Sequence, residues 1–479
     1  MANRELNIEF LKLAGFEGEE VEEFLPGWLK AVEILGFSDE DIRYAKDEYI
    51  PQNWDVQYRG VRRLIGTYMR ELVEITKTQQ YKDEGKPVIY GVLPAITLPY
   101  AAFKKAAQRS EKGDAYVCFP DLMLVTILNG FFHKAAPFLN QAEDLGFTYG
   151  CRHCPLNKVR MTGYAKGILA SPDVIWSWGL NCDEGPKTDE MIQCLIGEKW
   201  NYVVSRIPHD TYFGEADDAI EDRVAYLAEV IKADMKKVSE ITGLYPSPQD
   251  LQEAIDESNR VTFKIATLVN MVVTADPLPL GGNHLPLFQE ILFTPFNLGV
   301  KYLEEAIDIT IAEVRQAIKE GKGILPKGAP KLGSYFVPFT VPWVDRMFRD
   351  NGIGTTFSSC VTPSKSQMRP TKYPDDPYKS IAENWLKYPL GQNMGYEVES
   401  MIEKIEGSKP DGMLMGFFDF DRWLGAHQKM AAELVEKRTG VPHYYIESDF
   451  WDDRDYSAEA LRTRIESISQ LMHMRKDME

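Results

Sequence analysis

Residues 410–447 read PDGMLMGFFDFDRWLGAHQKMAAELVEKRTGVPHYYIE and contain two short apolar runs on either side of a long helical pattern. The runs lie at 412–416 and 443–446, and the helical segment 423–437 between them stops at Gly440. Short apolar runs bounded by turn residues predict buried strands. A strand, a helix and a second strand in this order form a parallel βαβ unit. This stretch therefore predicts an α/β fold.

The same alternation of apolar runs and helical patterns occurs along most of the chain. The predicted strands form an N-terminal group at 87–91, 173–177 and 200–207 and a C-terminal group at 334–337, 355–358, 412–416 and 443–446. Strands that alternate with helices predict parallel sheets with helices on their faces. The fold class that we predict is α/β, with two Rossmann-like or flavodoxin-like parallel-sheet domains.

Two helical regions complete the predicted organisation. Residues 54–77 repeat apolar side chains at helical spacing. The segment 247–250, Ser-Pro-Gln-Asp, is a helix start, because serine caps, proline takes the first helical position and aspartate complements the positive helix end. The predicted boundaries are an N-terminal helical arm at 1–85, a first α/β domain at 86–240, a helical domain at 241–330 and a second α/β domain at 331–479.

Charge and composition exclude several classes of function. The chain has 479 residues, with 54 Lys and Arg against 72 Asp and Glu, and its formal net charge is −18. Nonspecific nucleic-acid binding needs a basic surface. Binding to an anionic lipid surface needs one as well. The sequence lacks an apolar run as long as a membrane span, and its first residues lack the features of a signal peptide. We therefore expect a cytoplasmic protein that binds neither nucleic acid nor membranes.

The six cysteines carry most of the information about chemistry. They are too few for a disulfide framework in a chain of this length, so each is either a buried apolar residue or a metal or redox ligand. Cys151 and Cys154 form a C-x-x-C pair, and Cys182 and Cys360 each follow a predicted strand. Ligands bind at the carboxyl ends of parallel strands. We therefore expect these four cysteines to converge in the cleft between the two α/β domains.

Three interpretations of the cysteines stay open at this point. Iron–sulfur clusters are held by thiolates, usually four, and a closed zinc site takes four Cys or His ligands. The sequence has neither a ferredoxin spacing nor a paired zinc-ribbon spacing, and its C-x-x-C does not open a helix directly after a strand, as a thioredoxin-like pair does. The alternatives are metal or cluster binding, a redox dithiol, and inert cysteines. Cys118 and Cys194 lie among apolar residues and are predicted to be buried.

From about residue 86 to the end, the chain resembles the longer subunits of the 2-hydroxyacyl-CoA dehydratase and benzoyl-CoA reductase family. Segment 142–147, shortly before Cys154, is similar to the stretch before the family's first cluster cysteine. Segment 171–175, leading to Cys182, is similar to the strand that delivers the second. The remaining similar pieces are 240–243 with Asn259 and Arg260, then 410–414, 440–442, Glu447, Asp449 and 464–466.

The resemblance implies a cofactor, partners and a substrate. It implies a [4Fe–4S] cluster held by three cysteines, for which Cys154, Cys182, Cys360 and Cys151 are the candidates, and a smaller branch of the family carries a double-cubane cluster instead. The implied partners are a homologous second subunit, giving a heterodimer, and an ATP-dependent iron–sulfur activator protein that supplies one electron. This sequence has no Gly-x4-Gly-Lys-Ser/Thr motif, so the ATP step belongs to a partner.

The implied reaction acts on an acyl-CoA thioester. In the dehydratases, one electron turns the thioester into a ketyl radical, which allows the 2-hydroxyl and an unactivated β-proton to leave. In the reductases, the electrons reduce an aromatic ring.

This sequence departs from the family pattern at two places. The family's third cysteine is expected just after the strand at 413–415, where this chain has none. Cys360 or Asp419 would substitute, or Cys151 and Cys154 would both be ligands, or the subunit has lost its cluster and supports a catalytic homologue. The segment 90–94, Tyr-Gly-Val-Leu-Pro, also lacks the serines that would hydrogen-bond a substrate thioester. These departures favour a divergent substrate or a supporting subunit.

Other residues are candidates for catalysis or gating. Glu447, with Asp449, ends a predicted strand and is a candidate to orient substrate or act as a base, and His209 ends another strand. The loop 281–284, Gly-Gly-Asn-His, is a candidate lid over an acyl-CoA site. Arg152 and His153 are candidates to tune the potential of a cluster through charge or hydrogen bonds.

Overall fold

The fold is built on two four-stranded parallel sheets. We describe it from a computed structural model. The structure describes residues 3–93, 95–147, 153–179, 184–207, 220–335, 341–359, 361–365, 367–388, 394–417, 422–447, 449, 451–454 and 457–478. Both sheets follow from sequence, because most of their strands are short apolar runs, as parallel strands covered by helices require.

The first sheet has the strand order β2-β1-β3-β4. Its strands are β1 Val88–Gly91, β2 Tyr116–Cys118, β3 Val174–Gly179 and β4 Asn201–Arg206. Tyr90 pairs with Cys118 on one side and with Ile175 on the other. The predicted strands are confirmed, but sequence analysis missed β2, whose three residues are too short to show a period.

The second sheet has the strand order β6-β5-β7-β8. Its strands are β5 Lys331–Ser334, β6 Gly354–Ser358, β7 Gly412–Phe417 and β8 His443–Glu447. The prediction for β5, 334–337, was displaced towards the C-terminus. The strand begins at Lys331, whose Nζ donates to the carbonyls of Val273 at 3.1 Å and Ala275 at 2.7 Å. A hydropathy pattern does not reveal these contacts.

Renumbered within each sheet, both orders read 2-1-3-4, the order at the start of flavodoxin-like sheets. The helices that surround the sheets are numbered in chain order. They are α1 Arg4–Leu13, α2 Glu19–Leu35, α3 Asp39–Tyr44, α4 Ile50–Asn53, α5 Arg59–Ile75, α6 Thr78–Asp83, α7 Leu98–Arg109, α8 Pro120–Ile127, α9 Ala135–Asp144, α10 Pro155–Ala165, α11 Glu184–Ile196, α12 Glu221–Thr242, α13 Pro248–Thr274, α14 His284–Gln289, α15 Lys301–Lys319, α16 Pro342–Asp350, α17 Pro377–Leu386, α18 Met394–Ser408, α19 Arg422–Thr439 and α20 Ala458–Met478.

Helix α13 begins as its sequence predicts. The Ser247 hydroxyl accepts from the backbone N–H of Asp250 at 3.2 Å, and the Asp250 carboxylate accepts from the backbone N–H of Ser247 at 2.6 Å. This reciprocal capping box satisfies two backbone donors at the helix start.

The N-terminal helices pack against the rest of the fold. Helix α5 lies against α15, and the Glu313 carboxylate of α15 accepts from the backbone N–H groups of Arg59 and Gly60, each at 2.9 Å. A Cβ on Gly60 would lie 2.6 Å from the backbone nitrogen of Thr310, so only glycine allows this approach.

Two apolar cores support the sheets. The larger joins the first sheet to the N-terminal helices and to α13 and α15, and the smaller lies beside the second sheet. The predicted apolar stripe of α20, which includes Leu461, Ile465 and Met472, is buried in the smaller core. In the described part of the chain, no helix is long and apolar enough to cross a membrane.

Candidate active site at the carboxyl ends of the strands

The strand order reverses between β1 and β3 in the first sheet and between β5 and β7 in the second. Open α/β sheets bind ligands in the crevice at such a point, outside the carboxyl ends of the strands. Cys182 follows the end of β3 at Gly179, and Cys360 follows the end of β6 at Ser358. Cys182 and Cys360 themselves, with Cys151, lie outside the described residues.

Cys154 is the predicted ligand that the structure describes. It is the N-cap residue of α10, followed by proline at the first helical position, and its side chain is 6% exposed. The positive end of a helix stabilises a thiolate. The chemistry and position of Cys154 therefore fit a ligand of an iron–sulfur cluster.

The flanks of the other predicted ligands are described. Helix α11 begins at Glu184, two positions after Cys182. Next to Cys360, the backbone N–H of Ser359 donates to the carbonyl of Ser334 at 2.7 Å, which fixes the end of β6 against β5. Among the described residues, no three His, Cys, Asp or Glu side chains come together in a way that could hold a metal ion. The set of ligands stays a prediction.

The segment after β8 closes onto the helices beside Cys154. Arg454 donates to the Glu143 carboxylate of α9 at 2.7 Å, and Glu143 also accepts from Lys158 Nζ of α10 at 2.7 Å. Nearby, the Asn129 side chain donates to the carbonyl of Trp451 at 2.8 Å. Residues 451–454, beyond the carboxyl end of the second sheet, are thereby held against the helix that Cys154 caps.

Asp449 lies at the start of this segment and titrates near neutrality. Burial raises the pKa of its carboxyl to about 7, against the opposing effect of the backbone N–H of Trp451, which donates to it at 3.0 Å. The charge of Asp452 raises the pKa as well, and that of Lys158 lowers it. A carboxyl with this pKa can both accept and donate a proton at neutral pH.

The side chains of the two predicted catalytic residues lie outside the described residues. The backbone of Glu447 ends β8, but its side chain lies outside the described residues, as does all of His209.

Sequence analysis missed a buried ion cluster that is formed by side chains of α8, α10 and α11. Arg160 of α10 is fully buried, with its Nη atoms 4.0 Å from the Asp121 carboxylate of α8 and 3.7 Å from the Asp189 carboxylate of α11. Burial disfavours the charge of Arg160, but Asp189 and Asp121 outweigh it, so its pKa is raised. The cluster joins α10, which follows Cys154, to α11, which follows Cys182.

The structure tests the predictions for the two remaining cysteines. Cys118 is fully buried on β2, and burial raises the pKa of its thiol, so the packing interpretation is confirmed. The prediction for Cys194 was wrong, because it lies on the exposed face of α11, whereas Asp189 and Ile192 form the buried face.

The lid interpretation of loop 281–284 was also wrong. Asn283 and His284 are fully buried, and a Cβ on Gly282 would lie 2.5 Å from the backbone of Thr355 in β6. His284 Nε2 accepts from the backbone N–H of Asp55 at 2.8 Å. The loop is a fixed contact between the N-terminal helices and the second sheet.

A cavity of about 450 Å³ lies between the loop after β1, helix α13 and the segment 363–388. This is within the range of small-molecule sites. Its walls come from four separate parts of the sequence, so no local motif indicates it.

Comparison with known proteins agrees with the expectation from the residues. The family described as "2-hydroxyglutaryl-CoA dehydratase, D-component" matches residues 126–471, more than two thirds of the chain. A benzoyl-CoA reductase subunit of Thauera aromatica is 27% identical over 194 residues, which is 39% of this chain and 45% of the relative.

Two dehydratase subunits are similar over longer stretches. The alpha subunit of lactoyl-CoA dehydratase of Anaerotignum propionicum is 22% identical over 52% of this chain and 58% of its own length. The alpha subunit of (R)-2-hydroxyisocaproyl-CoA dehydratase of Clostridioides difficile is 22% identical over 77% of this chain and 98% of its own length. The chain thus matches about half of the first two relatives and nearly all of the third.

Proposed function

Because the chain belongs to the family of 2-hydroxyglutaryl-CoA dehydratase D-components, we propose that it is an iron–sulfur subunit of a 2-hydroxyacyl-CoA dehydratase. The observation that carries the proposal is the extent of the family match, which includes Cys151, Cys154, Cys182 and Cys360. The relatives named as alpha subunits support a heterodimer with a homologous second subunit. The electron comes from an ATP-dependent iron–sulfur activator protein.

The cysteines would hold a [4Fe–4S] cluster, which supplies one-electron chemistry to the acyl-CoA thioester when it is bound. Cys154, Cys182 and Cys360 are the proposed ligands, with Cys151 as the alternative third. Two side chains of α10 fix the helix that Cys154 caps. Arg160 pairs with Asp189 of α11, and Lys158 donates to Glu143 of α9.

Other side chains of this chain would handle protons. Loss of water from a 2-hydroxyacyl thioester requires removal of a β-proton and protonation of the departing hydroxyl. Asp449, with a pKa of about 7, is suited to hold and transfer such a proton. Glu447 and His209 stay candidates for the same role. The segment 451–454 packs against α9 and α10 and would exclude water from this side.

The test is purification without oxygen, followed by iron and sulfide analysis of the full chain. We expect about four irons per chain, as a [4Fe–4S] cluster contains. Cys154→Ser and Cys182→Ser should lose most of the iron, whereas Cys194→Ser, at an exposed cysteine, should retain it. Iron-free wild-type protein from oxygen-free cells would contradict the proposal, and zinc in place of iron would support a closed zinc site instead.

A reductase is the second candidate, favoured by the similarity to a benzoyl-CoA reductase and by the absence of serines at 90–94. Assays with 2-hydroxyacyl-CoA and with benzoyl-CoA would separate dehydration from ring reduction. About eight irons per chain would indicate a double-cubane cluster.

A clusterless supporting subunit is the third candidate, favoured by the missing cysteine after β7. In that case Cys182→Ala would leave the activity of the complex intact.

A further inference from the structure

The ion cluster of Arg160, Asp121 and Asp189 lies at the carboxyl edge of the first sheet. Asp121 is the second residue of α8, three positions after Cys118, the last residue of β2. Arg160 of α10 and Asp189 of α11 complete the ion cluster, and all three side chains are fully buried. The ion cluster is therefore at the edge of the sheet where open α/β folds bind their ligands.

Two members of the ion cluster follow proposed cysteine ligands in the sequence. Arg160 is six positions after Cys154 on the helix that Cys154 caps, which is about 9 Å along the helix axis. Asp189 is seven positions after Cys182 and lies in the second turn of α11. Solvent screens buried charges much less than exposed ones. The ion cluster is thus placed to act electrostatically on a group held by these cysteines.

The charged groups of the ion cluster lie too far apart for hydrogen bonds to one another. The Arg160 Nη atoms are 4.0 Å from the Asp121 carboxylate and 3.7 Å from the Asp189 carboxylate. Among the described residues, Arg160 Nε and Nη1, Asp121 Oδ2 and Asp189 Oδ1 have no hydrogen-bond partner. A guanidinium that only tied helices together would be expected to form bidentate hydrogen bonds. The attraction here is Coulombic, and its field extends beyond the three side chains.

Neutral donors hold the two carboxylates in place. Asp189 Oδ2 accepts from the Trp200 indole N–H at 2.8 Å, and Asp121 Oδ1 accepts from the backbone N–H of Leu122 at 2.8 Å. Hydrogen bonds of this kind favour the charged form of a carboxyl. Burial raises the pKa of Asp121, against the charge of Arg160 and the bond from Leu122. With both carboxylates ionised, two negative charges and one positive charge give a formal total of −1.

We propose that this ion cluster sets the reduction potential of the iron–sulfur cluster held by Cys154 and Cys182, with Asp189 as a charge that lowers it. A buried negative charge disfavours the reduced state, because that state carries one more electron. A lower potential makes the reduced state a stronger electron donor. This inference rests on the proposed function for the presence of iron. It adds Arg160 and Asp189 as residues that act on the iron–sulfur cluster without binding it.

The test is a redox titration of the full chain, purified without oxygen and followed by electron paramagnetic resonance. Asp189→Asn removes one negative charge at nearly constant volume and should raise the midpoint potential. Arg160→Lys keeps the positive charge but loses the guanidinium fork, so the potential should stay close to the wild-type value. Both variants should keep their iron, because neither residue is a proposed ligand. Urea unfolding of both measures their structural role separately, and a purely structural role would lower stability without moving either potential.

The matched control is Asp55→Asn. The Asp55 side chain is 5% exposed and pairs with Arg349 at 2.8 Å. It accepts from the backbone N–H of Gly281 at 3.0 Å, in the loop 281–284 that packs against Thr355 towards the amino end of β6. This variant removes the same charge from a buried ion pair, so it should lose stability while the potential stays at the wild-type value.

An unchanged potential in Asp189→Asn, or an equal rise in Asp55→Asn, would overturn the inference. Iron analysis of the same preparations separates this result from a failure of the proposed function. Iron-loaded wild type with an unmoved potential in Asp189→Asn would remove the role of the ion cluster alone. Iron-free wild type would remove both assignments.

Discussion

Glu290 is a buried carboxyl whose hydrogen bonds match its protonated form. Tyr68 donates its single hydroxyl proton to the carbonyl of Leu287 at 2.9 Å, and its oxygen lies 2.5 Å from Glu290 Oε2. A proton on Oε2 completes the chain, because Glu290 then donates to Tyr68. Thr126 donates to Oε1 at 3.1 Å. Burial raises the pKa of Glu290 to about 8, which agrees with a neutral carboxyl at pH 7.

Glu290→Gln should therefore make the protein less sensitive to alkali. A pKa raised on folding gives stability that is complete below the unfolded value of 4.5 and is lost as the pH rises through about 8. The glutamine amide keeps the donor to Tyr68 and does not ionise. From pH 6 to pH 9, we expect wild type to lose roughly 3 kcal/mol relative to the variant, measured by urea unfolding.

The control for this experiment is Glu229→Gln, at a side chain that is 72% exposed. It should follow the wild-type pH profile. Identical profiles for wild type and Glu290→Gln would show that Glu290 is ionised in the folded protein.

Arg160 predicts a large loss of stability when its charge is removed. Arg160→Met would leave the buried carboxylates of Asp121 and Asp189 without their cation. Breaking a buried pair in this way costs about 3–5 kcal/mol. Thermal and urea unfolding should show this loss, whereas Arg315→Met, at an exposed arginine, should change stability by less than about 0.5 kcal/mol. Equal effects of the two substitutions would count against the ion cluster.

At this scale, sequence reasoning succeeded where the signal is local. Cys118, which lies among apolar residues, was predicted to be buried, and it is. Arg160 carries no such signal, since its partners lie 39 and 29 positions away in the sequence. The prediction that Cys194 is buried failed, because residues that are neighbours along the chain do not lie on the same face of a helix.

At the scale of elements, the contact between α5 and α15 depends on Gly60. Gly60→Ala would place a Cβ 2.6 Å from the backbone nitrogen of Thr310. Backbone atoms cannot give way as a side chain does, so we expect a loss of about 1–3 kcal/mol in unfolding free energy. The matched control is Gly407→Ala in α18, where a Cβ meets open space. That substitution should stabilise the protein by up to about 1 kcal/mol. A stabilising Gly60→Ala would contradict this packing.

Elements with strong local patterns were predicted and elements fixed by distant contacts were not. Strands β6 and β7 were found within one residue of their ends, and the start of α13 was found from four residues. Strand β2 was missed, because its place is set by pairing with β1. The start of β5 was missed, because Lys331 is accommodated by carbonyls at the end of α13.

At the scale of the molecule, Arg454 joins the two halves of the fold. It contacts Glu143 of α9 and Asp452 of its own segment, at 2.7 and 2.6 Å. Arg454→Ala should increase hydrogen exchange in 451–454 and in α9, because this link closes the segment onto α9 and α10. Exchange in α20 should stay the same.

Arg438→Ala is the control for Arg454. Its partner is Glu399, and both side chains are 44% exposed, so the loss of this pair should have little effect. Unchanged exchange in α9 of Arg454→Ala would show that other contacts hold the halves together.

The two sheets and their order along the chain follow from hydrophobic patterns, but the cavity does not. Its walls are 96–98, 252–263, Leu292 and 363–388, which come together only in the folded chain. The predicted domain boundaries stay predictions. The cluster ligands stay predictions as well, because three of the four candidate cysteines lie outside the described residues.

Both sheets have the same 2-1-3-4 strand order, although no repeat is visible in the sequence. In a fold with two such sheets, changes in the loops and conservation of the strands can take place in different halves. The loops at one edge can diverge towards new substrates while the strands of the other half keep their geometry. A lineage built this way can change what it acts on without rebuilding the scaffold that carries its chemistry.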